Sequence, residues 1–187
     1  MGKFSFYYSV VGARKSAELI LTAHRNKMAG KKVAVFQPQT NTRDGGEIKS
    51  RALKETCEAI ILTSDFDLYE YWIKNKPNLI LIDAVQFISK KQVNELVKII
   101  SESKTLVFAY GLLSNFKGQL FETVSYMLPY VTKIVEIPTV CEVCGDAKAT
   151  MNILVDESQN KDNSEIIIGN HFKGVCLKCF LKHYNKN

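Results

Sequence analysis

What this sequence lacks narrows it first. No apolar run approaches the ~20 residues needed to cross a bilayer, and the longest candidate, 79–82, is broken at once by Asp83. The opening MGKFSFYYSVVGARKS has neither the apolar segment nor the small-residue cleavage site of a secretory signal. Phe6 stands where a myristoylation pattern needs Ser or Thr. These absences lead us to expect a cytoplasmic protein with no membrane partner. The 25 Lys and Arg against 19 Asp and Glu leave a net charge of +6, yet no run interleaves the lysines with aromatics. A solvated basic surface is therefore expected, with no nucleic-acid partner. Internal repeats beyond the cysteine pairs and low-complexity tracts are also missing. With 46% hydrophobic and 24% charged residues, the chain is not disordered, a collagen or a coiled-coil rod. A chain of 187 residues buries roughly 70% of its unfolded surface and needs no disulfide to build a core.

Short apolar runs alternate with helical patterns along most of the chain. Residues 4–11 read as a strand and 15–28 as a helix with Leu19, Ile20 and Ala23 near a 3.6 period, stopped by Ala29-Gly30. Further strands are expected at 32–37, 58–63, 79–83, 105–111 and 133–137. Helices are expected at 65–75, 89–103 and 121–130, with a loop over 38–49. This β-α-β rhythm implies an α/β fold: a mostly parallel sheet with helices on both faces. After Pro138 the composition changes, so the expected division is an α/β domain over 1–137 and a small appendage over 138–187.

The appendage carries Cys141-x-x-Cys144 and Cys176-x-x-Cys179 around a polar stretch. In a reducing compartment paired CxxC units read as metal ligands before disulfides. Each turn places two thiolates on one side of a bend, so two turns close a tetrahedral Zn²⁺ site. Such a site has no open coordination position, and its role is structural. Cys57, the fifth cysteine, reads as a small core residue.

After the first strand comes Ser9-Val-Val-Gly-Ala-Arg14-Lys15-Ser16, then a helix. A phosphate loop reads G-x-x-x-x-G-K-[ST] in this context. The Lys15-Ser16 pair is intact and Gly12 lies within the loop, but Ser9 and Arg14 replace the signature glycines. Those glycines let successive N–H groups face the phosphates, and a side chain at position 14 crowds that cradle. Taken alone, the pair reads either as a remnant phosphate loop or as a chance Lys-Ser at a helix start. Asp83, closing the buried run LILID, adds an acid placed to hold Mg²⁺ at the edge where open α/β sheets bind ligands. Together they favour a P-loop-like fold.

Six segments in order then carry a resemblance. KSAEL at 15–19, VFQPQTNTR at 35–43, Ser50-Arg51, IDAVQF at 82–87, FAYGLLSNFKGQLF at 108–121, and TVCEVCGDAKAT with VCLKC at 139–150 and 175–179 resemble the zinc-containing thymidine kinases. The resemblance implies a P-loop NTPase-like α/β domain with a small C-terminal zinc-binding lasso domain. The implied activity is ATP- and Mg²⁺-dependent phosphorylation of thymidine in nucleotide salvage for DNA synthesis, usually by a tetramer. It implies nucleotide contacts at Gly12, Arg14, Lys15 and Ser16, and Mg²⁺ at Ser16 and Asp83. Nucleoside contacts would fall to Arg43, Gln86, Phe87, Phe116 and Phe172.

The departures from the family pattern lie at chemical positions. Ala84 stands where the family has the glutamate that takes the proton of the 5′-hydroxyl, so no catalytic base is assigned. Asn41 replaces an Asp, and Asn115 and Lys117 replace the Asp and Arg of the DFR segment. Two readings stand side by side: a slow thymidine or deoxynucleoside kinase, and an inactive homologue that binds a nucleotide or a partner subunit.

Overall fold

The computed structural model describes residues 1–41, 46–50, 55–155 and 171–185. Its centre is a sheet of six strands: β1 (Lys3–Ser9), β2 (Val33–Pro38), β5 (Ile60–Leu62), β6 (Leu79–Ile82), β7 (Leu106–Leu112) and β8 (Lys133–Glu136). They run in the order β5-β2-β6-β7-β1-β8, and every pairing among them is parallel. β6 is buried along its whole length, as its unbroken apolar run requires of a strand covered on both faces.

Helices supply the two covers. Leu19, Ile20 and Ala23 of α1 (Lys15–Met28) pack on one face against Val35, Leu79, Leu81 and Tyr110. The other face takes α2 (Leu68–Asn75), α3 (Lys90–Glu102) and α4 (Glu122–Met127) over Phe4, Phe6, Phe36, Ile80 and Ile82. Local chemistry sets the ends of these helices. Asp67 accepts the Glu70 N–H at 2.7 Å, which starts α2 later than the expected 65. Ser89 and Gln92 form a reciprocal capping box at the start of α3. Pro129 cannot donate a backbone hydrogen bond, so α4 ends at Met127 and a 3₁₀ turn, Leu128–Tyr130, replaces its expected continuation.

Two stretches differ from the sequence expectation. The loop expected over 38–49 contains β3 (Glu47–Lys49), which pairs antiparallel with β4 (Thr56–Glu58). The strand expected over 58–63 divides, because the Ala59 N–H turns to the Gly46 carbonyl at 2.9 Å and only β5 joins the main sheet. In the C-terminal part, β9 (Met151–Leu154) and β10 (Phe172–Val175) form an antiparallel pair followed by α5 (Leu177–Tyr184). No helix among the described residues is long and apolar enough to cross a membrane.

A buried relay ties α2 to the start of β7. Trp72 Nε1 donates to Thr105 Oγ1 at 3.0 Å, and Thr105 Oγ1 donates to the Pro77 carbonyl at 3.0 Å. Thr105→Val keeps the shape and strands both partners, at about 1–3 kcal/mol for a buried unsatisfied group. At roughly 2–4 °C per kcal/mol for a chain of this size, we expect Tm to fall by about 2–12 °C. A calorimetric scan showing no fall would refute this account of the relay.

Candidate functional site

β6, β7 and β1 are neighbours in the sheet, and their C-terminal ends open on the same edge. Residues 10–14 follow β1, 83–87 follow β6, and 113–121 follow β7, so this edge collects nearly every expected site residue.

The loop after β1 turns through two left-handed residues, Gly12 at φ 75° and Arg14 at φ 57°. Glycine adopts that conformation freely, whereas a side chain there costs about 1–2 kcal/mol. Arg14 is thus a strained residue standing where the phosphate-loop pattern has glycine. It sits at the N-cap of α1 with no side-chain cap. The first N–H groups of α1 lack intrahelical acceptors and face this edge, the setting of an anion site. Ser9, at the other missing glycine, is not strained: it ends β1, and its hydroxyl donates to the Ile137 carbonyl at 2.5 Å.

Lys15, Ser16 and Asp83 meet as expected. Ser16 Oγ donates to Asp83 Oδ2 at 3.3 Å, and Lys15 Nζ donates to the Val10 carbonyl. Burial draws the Lys15 ammonium down to about 8, against the attraction of Asp83. Burial likewise raises the Asp83 carboxyl, opposed by the Ala84 N–H, Lys15 and Ser16. Asp83 is buried and Lys15 half-buried, so the desolvation of each charge is only partly offset by the other. Mg²⁺ takes oxygen ligands at about 2.1 Å, so neighbouring ligands on one ion stand about 3 Å apart. The Ser16 and Asp83 oxygens, 3.3 Å apart, fit that requirement.

Ala84 follows directly, also left-handed at φ 48°, and begins the 3₁₀ turn Val85–Phe87. Its methyl can accept no proton. Gln86 is buried, and its Oε1 accepts the Leu112 N–H at 3.1 Å, which ties that turn to the end of β7. Gly111 makes room for it, since a Cβ there would lie 2.6 Å from Gln86 Oε1. The Phe87 ring stands edge-on to Phe121 with centroids 6.0 Å apart. Phe116 and Phe172, far apart in sequence, come together with ring centroids 6.0 Å apart. Asn115 shapes the loop that carries Phe116: its Oδ1 accepts from Lys117 N at 2.9 Å and Gln119 N at 3.0 Å. Arg43 lies outside the described residues.

The thiol sulfurs of Cys141, Cys144, Cys176 and Cys179 lie within 4.8 Å of one another, and all are free of disulfides. Thiolates about 2.3 Å from a tetrahedral Zn²⁺ stand about 3.8 Å apart. Cys144 Sγ and Cys176 Sγ, at 4.0 Å, already hold nearly that spacing. Burial pushes the Cys141 thiol up, but N–H groups of Cys144, Cys176 and Val143 aimed at its sulfur bring it down to about 6. Backbone N–H groups of Ala147 and Asp146 lower the Cys144 thiol as well, whereas hydrogen bonding to Cys176 raises that of Cys179. The four soft ligands can hold a zinc ion.

Sequence reasoning missed how this cysteine unit grips the phosphate loop. Asn152 of β9, buried, accepts the Val11 N–H at 2.9 Å and donates to the Ser114 carbonyl at 3.0 Å. Glu142, between two of the cysteines, accepts the Gly174 N–H at 2.8 Å. A Cβ on Gly174 would lie 2.4 Å from Val10 Cγ2, so only glycine allows this approach. Val10, Ala13 and Ala149 form a small apolar cluster at the same seam. A polar residue within the apolar run of β9 was the only available signal, and it did not name its partner.

Residues 2–180 match the family described as thymidine kinase. The thymidine kinase of Listeria monocytogenes serotype 4b (strain F2365) is 37% identical over 187 residues, covering 96% of each chain. That of Enterobacteria phage T4 is 32% identical over 192 residues, covering 100% of this chain and 97% of its own. That of Coxiella burnetii (strain RSA 493 / Nine Mile phase I) is 32% identical over 189 residues, covering 96% of this chain and 95% of its own.

Proposed function

Because the chain belongs to the thymidine kinase family, we propose that it transfers the γ-phosphoryl group of ATP to the 5′-hydroxyl of thymidine or a related deoxynucleoside. The observation that carries this reading is the meeting of Lys15, Ser16 and Asp83 at the N-terminus of α1. Phosphoryl transfer depends chiefly on positioning and charge neutralisation. The triphosphate would lie against the free N–H groups of α1, with the Lys15 ammonium leaving the Val10 carbonyl for a phosphate oxygen. Arg14 adds a guanidinium where the glycine-lined cradle is narrowed. Mg²⁺, held by the Ser16 hydroxyl and the Asp83 carboxylate, would neutralise negative charge on the triphosphate. Gln86, Phe87, Phe116 and Phe172, with Arg43, are assigned to the nucleoside side, where paired rings such as Phe116 and Phe172 offer apolar faces to a base. Zn²⁺ on the four cysteines would hold both ends of the 145–175 segment.

Ala84 is the observation behind a second reading, a homologue that binds nucleotide without turnover. Loss of a general base costs about 10²–10⁴ in rate, so native turnover is expected to be very slow. The test is to incubate the protein with labelled ATP, Mg²⁺ and each deoxynucleoside and to measure monophosphate. Turnover of about 1 s⁻¹ or above would reject the inactive reading and show that another group accepts the proton. Tight ATP binding with no monophosphate would reject the kinase reading.

A further inference from the structure

Among the described residues, the buried side-chain atom left without a hydrogen-bond partner is Gln37 Nε2. Gln37 is 2% exposed. A buried amide donor with nothing to donate to costs as much as a lost hydrogen bond, and native proteins rarely keep one without use. Nothing in the fold requires an amide here: the neighbouring positions of β2, from Val33 to Phe36, are apolar.

The sheet register shows what Gln37 stands beside. Phe36 of β2 pairs with Ile82 of β6, and the Asp83 N–H continues the ladder to the Phe36 carbonyl at 2.9 Å. Phe36 and Ile82 belong to one core cluster, on the face covered by α2 and α3. Side chains alternate along a strand. One residue further on, Gln37 and Asp83 therefore leave the sheet together on the opposite face, the face of α1. That is where Ser16 reaches Asp83. Neighbouring strands are about 4.8 Å apart, so the unpartnered amide is the next side chain along the sheet from the carboxylate assigned to Mg²⁺.

We propose that Gln37 is a ligand-contact residue whose side-chain N–H donates to an oxygen of the bound Mg·nucleotide, either a phosphate oxygen or a water on the ion. This rests on the nucleotide-binding reading and adds to it a donor that no phosphate-loop position supplies. It also accounts for the orphaned atom, whose acceptor arrives with the nucleotide.

The proposal requires stability and binding to move in opposite directions. Gln37→Met keeps the length of the side chain and removes the amide. It should raise Tm of the free protein by about 2–12 °C, because a buried unsatisfied donor is gone. It should also weaken Mg·ATP by about tenfold or more, the loss of a hydrogen bond to a charged group. The KM for ATP should rise while the KM for thymidine stays unchanged. Gln37→Glu keeps the shape but replaces the donor with a carboxylate beside Asp83, and it should weaken Mg·ATP further still. Titration calorimetry on full-length native and variant proteins reads the affinities, and repeating it in EDTA separates the two acceptors. A loss that persists without the ion identifies a phosphate oxygen, and a loss seen only with it identifies the metal-bound water. Native protein that binds Mg·ATP while Gln37→Met binds it equally well overturns the proposal alone. Native protein that binds no Mg·ATP overturns the nucleotide reading, and this proposal with it.

Discussion

Ala84→Glu combined with Arg14→Gly should raise thymidine phosphorylation by roughly a hundredfold or more over the native chain, the lower end of the about 10²–10⁴ that a general base supplies once the phosphates are properly seated. The gain should exceed the product of the two single changes, because both groups act on one transition state. Ala84 follows Asp83 with φ 48°, so the backbone there is already left-handed. A glutamate inherits that strain rather than adding it. By itself it should raise the rate only slightly, since Arg14 would still narrow the phosphate cradle. Glycine at 14 adopts the observed φ of 57° without strain and lets the N–H groups of the loop approach the triphosphate. Ser9 is left alone in this variant, because its hydroxyl is bound to Ile137 and its backbone is extended. Single-turnover rates under saturating ATP and thymidine provide the check. A double variant no faster than the native chain would show that the missing carboxylate does not limit the reaction.

Loss of the metal should have the largest structural effect. Structural Zn²⁺ contributes about 10–16 kcal/mol in small zinc units. The core around the cysteines consists of Cys141, Ile153, Val175, Cys176 and Phe180, so two of its five buried residues are proposed zinc ligands. Without metal this cluster is too small to hold β9, β10 and α5 in place. Cys176→Ser is expected to abolish stoichiometric zinc and to open residues 139–155 and 171–185 to protease, while the six-stranded sheet stays resistant. Asn152 and Gly174 would leave the phosphate loop with them, so ATP binding should weaken although neither residue is assigned to the nucleotide. Zinc per chain by elemental analysis and a timed proteolysis gel decide the matter; full zinc content with native resistance would refute it.

The sheet was legible because parallel strands are buried on both faces. Runs such as 79–82 and 106–110 are apolar throughout, as strands covered on both faces require. β3 and β4 were not legible. Each spans three residues with a single buried position, Ile48 or Cys57, too short to show a period. The cysteine cluster was legible from spacing alone. Its attachment was not, since Asn152 and Val11 are linked only by the fold. Arg14 and Ala84 showed in the sequence as the wrong residue types. That both take left-handed backbone is a property of the turns they occupy, which residue identity does not disclose. Gln37 gave no sign at all. An amide in a strand has meaning only once its neighbours are known to leave it unpaired.

The place of β1 in the sheet also bears on how the chain survives its own synthesis. β1 is made first, yet it pairs with β7 from Lys3↔Leu106 onward and with β8 from Ser5↔Lys133 onward, both more than a hundred residues later. At roughly 5–20 residues per second, the nascent chain waits several seconds or more before either partner leaves the ribosome. During that interval KFSFYYS, whose Phe4 and Phe6 end fully buried, has no strand of its own chain to pair with. A short aromatic, β-prone and nearly uncharged segment is the kind that pairs with its copies on neighbouring chains. Soluble yield is therefore set by a race between elongation to Glu136 and encounter between nascent chains. Slower translation or crowded polysomes should tip that race towards aggregation without changing the stability of the finished protein.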